Sequence, residues 1–339
     1  EYGSLLANHT WDVVDRPSNA PVIGCRWVFD IKFNPDGSIK RYKARLVAQG
    51  FSQTYGVDYF ETFSPVVTTA TVRMLLALAT INNWDTSQLD VDTAYLNAPV
   101  KEEIFMKAVP GYPLPGNKVL RLKKSLYGLK QAGKNWSDFL SKHLLELGLQ
   151  RSEYDPCLYY KIADNSILLL AVYVDDILIK ITGNATDEIK RIIDELSKRF
   201  KLKSMGDANQ LLGMLIERDR SSRTMKIYQA PYINKMLSQF DLSDVRMSKL
   251  PAPADMFCQV TEAAFNGDKR TVKFDYLSAI GCLQYLSNTT RPDIVVATRF
   301  LSSFSSNYTD VHIRYVKKVL KYLESTLDMG LFYRADTSS

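Results

Sequence analysis

Two adjacent carboxylates, Asp175 and Asp176, interrupt an apolar run that extends from Ile167 to Val174 and resumes from Ile177 to Ile181. Neighbouring ionised carboxylates repel, and a hairpin of apolar strands has little reason to carry both at its tip. A divalent cation removes that conflict. Hard oxygen donors suit Mg²⁺, which usually takes one or two carboxylates and completes its shell with water and phosphate. Asp90, in Gln88-Leu89-Asp90-Val91-Asp92, ends another short strand, read as Ser87 to Asp92. Asp90, Asp175 and Asp176 together would make a two-metal site for in-line phosphoryl transfer. Asp92 either shares the strand face of Asp90 or caps the helix-like segment that follows. Paired aspartates are also common in solvated turns, so the apolar strands on both sides carry the functional reading.

These residues must be held by a fold, and the rest of the chain indicates which kind. Strand-like Arg26 to Phe33, a turn at Asn34-Pro35-Asp36-Gly37 and strand-like Ile39 to Ala48 make a hairpin. Thr71 to Ile81 reads as a helix with Val72, Leu75, Leu76 and Ala79 on one face. Ala108 to Asn117 is loop. Trp136 to Leu147 is an amphipathic helix using Trp136, Phe139, Leu140, Leu144 and Leu147. The two apolar runs around Asp175-Asp176 form a buried hairpin with those two residues as its turn. Thr186 caps a helix with Ile189, Ile192, Ile193, Leu196 and Phe200 on its face. A further capped helix follows Asp310 and uses Ile313, Val316, Val319, Leu320 and Leu323. Lys249 to Asp255 is a linker. Mixed strands and helices predict an α+β chain.

Composition narrows the function classes. The 339 residues carry 43 basic and 37 acidic side chains, a net charge of +6, with 46% hydrophobic and 24% charged residues. This is an ordinary globular composition in which the placement of charge matters more than its sum. Cys25, Cys157, Cys258 and Cys282 are scattered and suggest neither a zinc site nor a disulfide framework. His9, His143 and His312 are far apart, and none lies in an H-E-x-x-H motif. No apolar run approaches membrane-spanning length, and no signal peptide is visible. The chain begins at Glu1 and reads as a piece of something longer.

Basic residues cluster. Lys40 to Arg45 has four in six positions, and Asn117 to Lys134 has six with no acid. Both suit a phosphate-facing surface, although each is also compatible with a solvated strand or loop. Gly128 to Asn135 (GLKQAGKN) approaches a phosphate-binding P-loop but ends in Asn135 where a Ser or Thr hydroxyl is needed.

Several longer blocks are more specific. Arg41 to Phe51 (RYKARLVAQGF), Glu61 to Val66 (ETFSPV), Leu126 to Ala132 (LYGLKQA), Tyr173-Val174-Asp175-Asp176 and Thr290 to Ile294 (TRPDI) resemble, in order and spacing, the reverse transcriptases of copia-type LTR retrotransposons. The blocks cover nearly the whole chain. The resemblance implies a right-hand polymerase with fingers at 1–66 and 98–131 and palm at 67–97 and 132–218. It places a thumb at 219–258 and a partial connection region at 259–339. An integrase would precede and a ribonuclease H domain would follow. The implied activity is RNA-directed DNA synthesis from dNTPs on a primed RNA or DNA template. Its cofactor is two Mg²⁺ ions, with Mn²⁺ as a substitute. The implied setting is a cytoplasmic virus-like particle with nuclear entry and no membrane partner.

The resemblance also assigns residues. Asp90, Asp175, Asp176 and the Val91 carbonyl would hold the metals. Tyr95 would be the steric gate against a ribose 2′-hydroxyl, although its position also suits a core aromatic at a helix start. Lys43 or Arg45 would meet the triphosphate. Tyr127, Gly128 and Lys130 would pack on nucleotide and template. Leu212, Gly213 and Met214 would be the primer grip, or else an ordinary strand with a bulge glycine. Two departures stand out. Gly133-Lys134 replace the usual Pro-Arg, and Ile179 to Gly183 is two residues longer than usual, a change that keeps strand facing. The alternative reading is a catalytically inactive, nucleic-acid-binding relic. The intact Asp90, Asp175, Asp176 and Tyr95 argue against decay at the site.

Overall fold

In the computed structural model, the carboxylate-bearing strands lie in a six-stranded antiparallel sheet. Its order is Leu202–Asp207, Asp85–Val91, Asp176–Ile181, Ser166–Tyr173, Leu158–Ala163, Gln150–Arg151. The structure describes residues 1–33, 38–163, 166–181, 187–267 and 269–335. The expected turn at Asn34 to Gly37, the Thr186 cap and the Thr182-Gly183 end of the lengthened segment lie outside these residues.

Period-two alternation gives the sheet one apolar face. Leu89, Val91, Leu168, Leu170, Val172, Ile177 and Ile179 form a core with Trp136, Leu140 and Leu144 of the Ala132–Glu146 helix. Ile192 and Leu196 of the Asp187–Arg199 helix, and Phe200 just beyond it, complete that core. Pairing of the central hairpin is unbroken from Tyr173↔Asp176 to Leu168↔Ile181, and Ile181 also pairs with Asp85. The return strand is therefore continuous to Ile181. The hairpin turn differs from expectation by one residue. Its loop is Val174-Asp175, and Asp176 is already a strand residue paired with Tyr173. Asp176 is held in the strand by backbone pairing on both sides, with Tyr173 in the hairpin and with Asp90 on the other neighbour.

The same compact unit, Glu1–Thr71 with Asp85–Asp207, contains the two-stranded hairpin Cys25–Phe33 and Ile39–Ala48. It also contains a four-stranded sheet in the order Trp11–Asp15, Lys118–Leu122, Phe105–Met106, Val22–Ile23. The Thr69–Ile81 helix starts two residues before the expected Thr71. Its start is fixed from a distance. The Asp155 carboxylate accepts from the Thr68 amide at 3.0 Å and the Thr71 hydroxyl at 2.6 Å. Burial opposes ionisation of Asp155, but these bonds and one from the Cys157 amide hold its pKa below the ordinary value.

The second unit comprises Val72–Trp84 and Ala208–Ser339. It has an antiparallel sheet in the order Gln210–Leu211, Met214–Asp219, Thr224–Tyr228, Leu331–Arg334. Its helices include Ala230–Leu237, Met256–Asn266, Tyr276–Thr289, Val295–Ser302 and Asp310–Ser325. Sequence periodicity identified only the last of these. Tyr276–Thr289 buries seven of its 14 residues, most of them at helical spacing, but it also carries exposed Leu277, so apolar side chains extend beyond the buried stripe and the periodic signal is weak. The cap of the last helix is Thr309 rather than Asp310, with His312 completing a capping box. Asp310 instead accepts from the Thr271 and Val272 amides at 3.0 and 2.9 Å.

Arg291, from the TRPDI block, is a core residue of this unit with 1% exposure. Its guanidinium donates to Asp293 in three hydrogen bonds, at 3.0, 3.3 and 2.7 Å, and to the Thr326 carbonyl and hydroxyl at 2.9 and 2.7 Å. The Tyr322 hydroxyl donates to the same carboxylate at 2.9 Å. This block ties the loop after one helix to the end of another.

Candidate active site

Asp90 and Asp176 are direct cross-strand partners. In an antiparallel sheet such partners have Cα atoms about 4.5–5.5 Å apart and side chains on one face. Lys203 opposes Asp90 on its other side, and Tyr173 opposes Asp176, which completes a row of four across the sheet. This row lies on the face opposite the helices. Asp175 follows at the turn, and its carbonyl accepts from the Val91 amide at 2.9 Å. Gln88, largely buried, donates to Asp176 Oδ1 at 3.0 Å.

The turn itself is strained. Val174 has φ +55°, a region where a β-branched side chain is crowded against its own backbone. Its carbonyl accepts from the buried Trp136 indole N–H at 2.7 Å. One helix side chain thereby holds the turn that presents Asp175. Trp136→Phe should remove that bond and leave a partly buried carbonyl unpartnered, at a stability loss of about 1–3 kcal/mol. Urea unfolding of the variant beside the unaltered chain checks this, and a loss under about 0.5 kcal/mol would show that the bond contributes nothing to holding the turn.

Electrostatics agree with the geometry. Burial pushes the Asp90 carboxyl above its ordinary range, and the charges of Asp175, Asp176 and Asp92 push the same way, against Lys43. Burial also raises Asp176, with Asp175 adding to the shift and the Gln88 bond opposing it. Asp92 lies beyond the strand, which ends at Val91, so it does not share Asp90's strand face. It does not cap the next helix either. The cap is Thr93, at φ +51°.

Among the described residues, no three His, Cys, Asp or Glu side chains are arranged to hold a metal ion by themselves. The donor set nevertheless fits Mg²⁺. Oxygen donors raised by mutual repulsion would be relieved by a cation, and that ion needs only one or two carboxylates when phosphate and water supply the rest.

The proposed nucleotide-facing residues gather in the same unit. Lys43 and Arg45 share one face of their hairpin, opposite Asp30 and Val28. Lys43 acts on Asp90 through its charge. The Arg45 guanidinium lies over the Tyr127 ring, 5.1 Å from its centroid. The Tyr127 ring meets Tyr95 edge-on at 4.8 Å. Gly128 has φ +91°, and a Cβ there would overlap the Ala48 carbonyl oxygen. Only glycine permits that approach. Lys130 donates to the Tyr59 hydroxyl at 3.0 Å, so its side chain is directed to that ring.

The loop from Gly128 is not a phosphate cradle. The Leu129, Ala132 and Asn135 amides bond to the Leu126, Leu129 and Gln131 carbonyls, and the Lys130 amide bonds to Gln53. A buried network of Gln53, Asp58 and Gln131 holds this loop against the segment after Gln49. The helix begins at Ala132 despite Gly133 in its first turn. Lys134 pairs with Glu61 at 3.2 Å and Asp138 at 3.0 Å.

Leu212 and Gly213, both at positive φ (49° and 75°), form a two-residue hairpin turn between Leu211 and Met214 in the second unit. Gly213 is thus a turn glycine rather than a bulge. The Tyr285 hydroxyl donates to the Leu212 carbonyl at 2.7 Å and stands where a Cβ on Gly213 would be.

A family model described as reverse transcriptase (RNA-dependent DNA polymerase) matches residues 8–254. The chain belongs to the reverse transcriptase family. Similar proteins include the retrovirus-related Pol polyprotein from transposon RE1 of Arabidopsis thaliana. It is 38% identical over 338 residues, covering 98% of this chain and 22% of that polyprotein. The corresponding polyprotein from transposon TNT 1-94 of Nicotiana tabacum is 37% identical over 331 residues, 96% of this chain and 25% of the relative. A putative transposon Ty5-1 protein of Saccharomyces cerevisiae is 30% identical over 251 residues, 73% of this chain and 79% of the relative. The resemblance to copia-type retrotransposon Pol proteins therefore holds over most of the chain. The chain spans about a quarter or less of the length of the plant polyproteins.

Three features of the candidate site were not singled out as such from the sequence: Gln88, Trp136 and the Gln53–Gln131 pair. Gln88 sits two residues before Asp90, and period two alone places it on the same face. Nothing local to Trp136 or Gln53 signals its partner, because each meets a residue more than 30 positions away.

Proposed function

We propose that this chain is the polymerase region of a retrotransposon Pol polyprotein and extends a primer with dNTPs on an RNA or DNA template. The observation that carries this reading is the register that sets Asp90 opposite Asp176, beside the strained turn bearing Asp175. Those three carboxylates and the Val91 carbonyl would hold two Mg²⁺ ions. Bound there, the ions would lower the pKa of the primer 3′-hydroxyl and neutralise charge on the phosphates.

The remaining work falls to the chain's own side chains. Lys43 and Arg45, on the face that reaches Asp90 and Tyr127, would balance charge on the triphosphate. Tyr95 would exclude a 2′-hydroxyl. Tyr127, Gly128 and Lys130 would form the wall beside nucleotide and template. Leu212 to Met214 would position the primer. Fingers would span 1–66 and 98–131, palm 67–97 and 132–218, thumb 219–258 and a connection region 259–339. Template duplex would be held through backbone and shape, with template bases supplying the sequence information. Integrase and ribonuclease H regions of the parent polyprotein would be partners within the particle.

Primer extension on an RNA template with Mg²⁺ tests this reading, with Asp175→Asn as the control. Synthesis by the unaltered chain and none by the variant is expected. Binding should weaken steeply with salt. Robust synthesis by Asp175→Asn would remove the site assignment. Template–primer binding without synthesis by either protein would establish the inactive relic instead.

A further inference from the structure

Tyr127 stands between two groups with separate tasks. Its ring meets Tyr95 edge-on, with centroids 4.8 Å apart and planes at 63°. The Arg45 guanidinium lies over it, 5.1 Å from the centroid. Both contacts use the ring and neither needs the hydroxyl. Burial, and then the Asp175 charge, pushes the Tyr95 and Tyr127 phenols above their ordinary pKa, so both rings sit beside the carboxylate site as neutral groups.

The backbone under Tyr127 is fixed. Its carbonyl accepts from the Ala48 amide at 2.8 Å. Gly128 lies so close to Ala48 that no side chain fits. The flanking Leu126 and Leu129 are buried. The Tyr95 backbone is held as well, between buried Ala94 and Leu96, and its carbonyl accepts from the Ala98 amide at 3.0 Å. Tyr95 lies in a four-residue helix, Ala94–Asn97, whose cap, Thr93, is in the left-handed region and makes no side-chain cap bond. Two rings on held backbones therefore meet edge-on, and each limits the rotation of the other.

We propose that Tyr127 is the positioning residue for sugar discrimination: its ring sets the position of the Tyr95 ring and that of the Arg45 guanidinium. This rests on the polymerase reading above and on Tyr95 as the gate. Tyr127 then couples two properties that would otherwise be independent, the 2′-hydroxyl check and the contact with the triphosphate. Its ring is required and its hydroxyl is not.

The test uses the full chain bound to a template–primer whose primer ends in a dideoxynucleotide, so nucleotide binding is read without chemistry. Affinities for a dNTP and the matching rNTP are measured for the unaltered chain, Tyr95→Ala, Tyr127→Ala, Tyr127→Phe and the double alanine variant. Tyr127→Ala should lower the dNTP/rNTP preference about tenfold, or about 1.4 kcal/mol, the scale of one edge-to-face ring pair. It should also weaken binding of both nucleotides as Arg45 loses its platform. Tyr127→Phe should retain the preference. The double variant should be no less selective than Tyr95→Ala, because a residue that acts through another adds nothing once that other is gone.

Loss of preference in Tyr95→Ala but not in Tyr127→Ala would overturn the proposal and leave the gate intact. Additive losses would overturn it too, since Tyr127 would then meet the sugar directly. An unchanged preference in Tyr95→Ala would remove the gate, and this inference with it. Failure of the unaltered chain to bind any nucleotide would reject the polymerase reading itself.

Discussion

Asp90→Asn should cut primer extension by at least about 10³-fold, the scale of losing a preorganised charged group at a reacting phosphate, and should raise the melting temperature. The two effects have one cause. Burial and the charges of Asp175 and Asp176 lift the Asp90 pKa in the folded chain. Between its unfolded and folded pKa values the folded state holds more protons than the unfolded one, so stability falls as pH rises through that window. Above the folded pKa the loss is complete and level. At neutral pH the ionised group therefore opposes folding, and the amide removes the opposition without changing size. The gain should be present at pH 7.5 in metal-free buffer and should shrink as pH falls through the folded pKa. A variant that melts lower than the parent at pH 7.5, with template–primer affinity also reduced, would show that Asp90 supports the fold and would undercut its role as a catalytic carboxylate.

Arg291→Ala should destabilise the second unit by about 1–3 kcal/mol, because it removes a buried guanidinium and leaves the Asp293 carboxylate and the Thr326 carbonyl without their partner. The guanidinium is 1% exposed and makes hydrogen bonds to both Asp293 and Thr326. Burial opposes the Asp293 charge, but the Arg291 bonds and charge and the Tyr322 bond hold its pKa below the ordinary value. The stability from that pair is present above the unfolded pKa and lost as pH falls through the folded one. Arg291→Lys should recover only part, since an ammonium cannot reproduce the planar fork across Asp293 and Thr326. Urea unfolding followed at pH 7 and at acid pH would check both statements. A loss under 1 kcal/mol in Arg291→Ala would falsify the view of this block as a core lock.

These two residues differ in how visible they were beforehand. Asp90, Asp175 and Asp176 were legible because unlike chemistry was placed against a simple pattern, carboxylates ending apolar strands. Arg291 was legible only as part of a block of resemblance, since an arginine that is buried and one that is solvated look the same in one dimension. The Arg26–Phe33 and Ile39–Ala48 strands were readable from their own residues, and the observed strands match them to within a residue. The helices of the second unit were mostly missed because they carry apolar side chains on their exposed sides too, such as Phe265, Leu277 and Val296, which blur the buried stripe.

The sequence by itself determined the strand hairpin, the set of carboxylates and the family, because periodicity, turn chemistry and long blocks in order are local properties of the chain. Tertiary structure alone decided the rest. It opposed Asp90 to Asp176, shifted the turn to Val174-Asp175 and hung that turn on Trp136. It also brought the Arg45 guanidinium over the Tyr127 ring and set Tyr95 edge-on to that ring. Each of these pairs residues far apart in the chain through register and packing, and such pairings are fixed only when the strands and helices close on a common core.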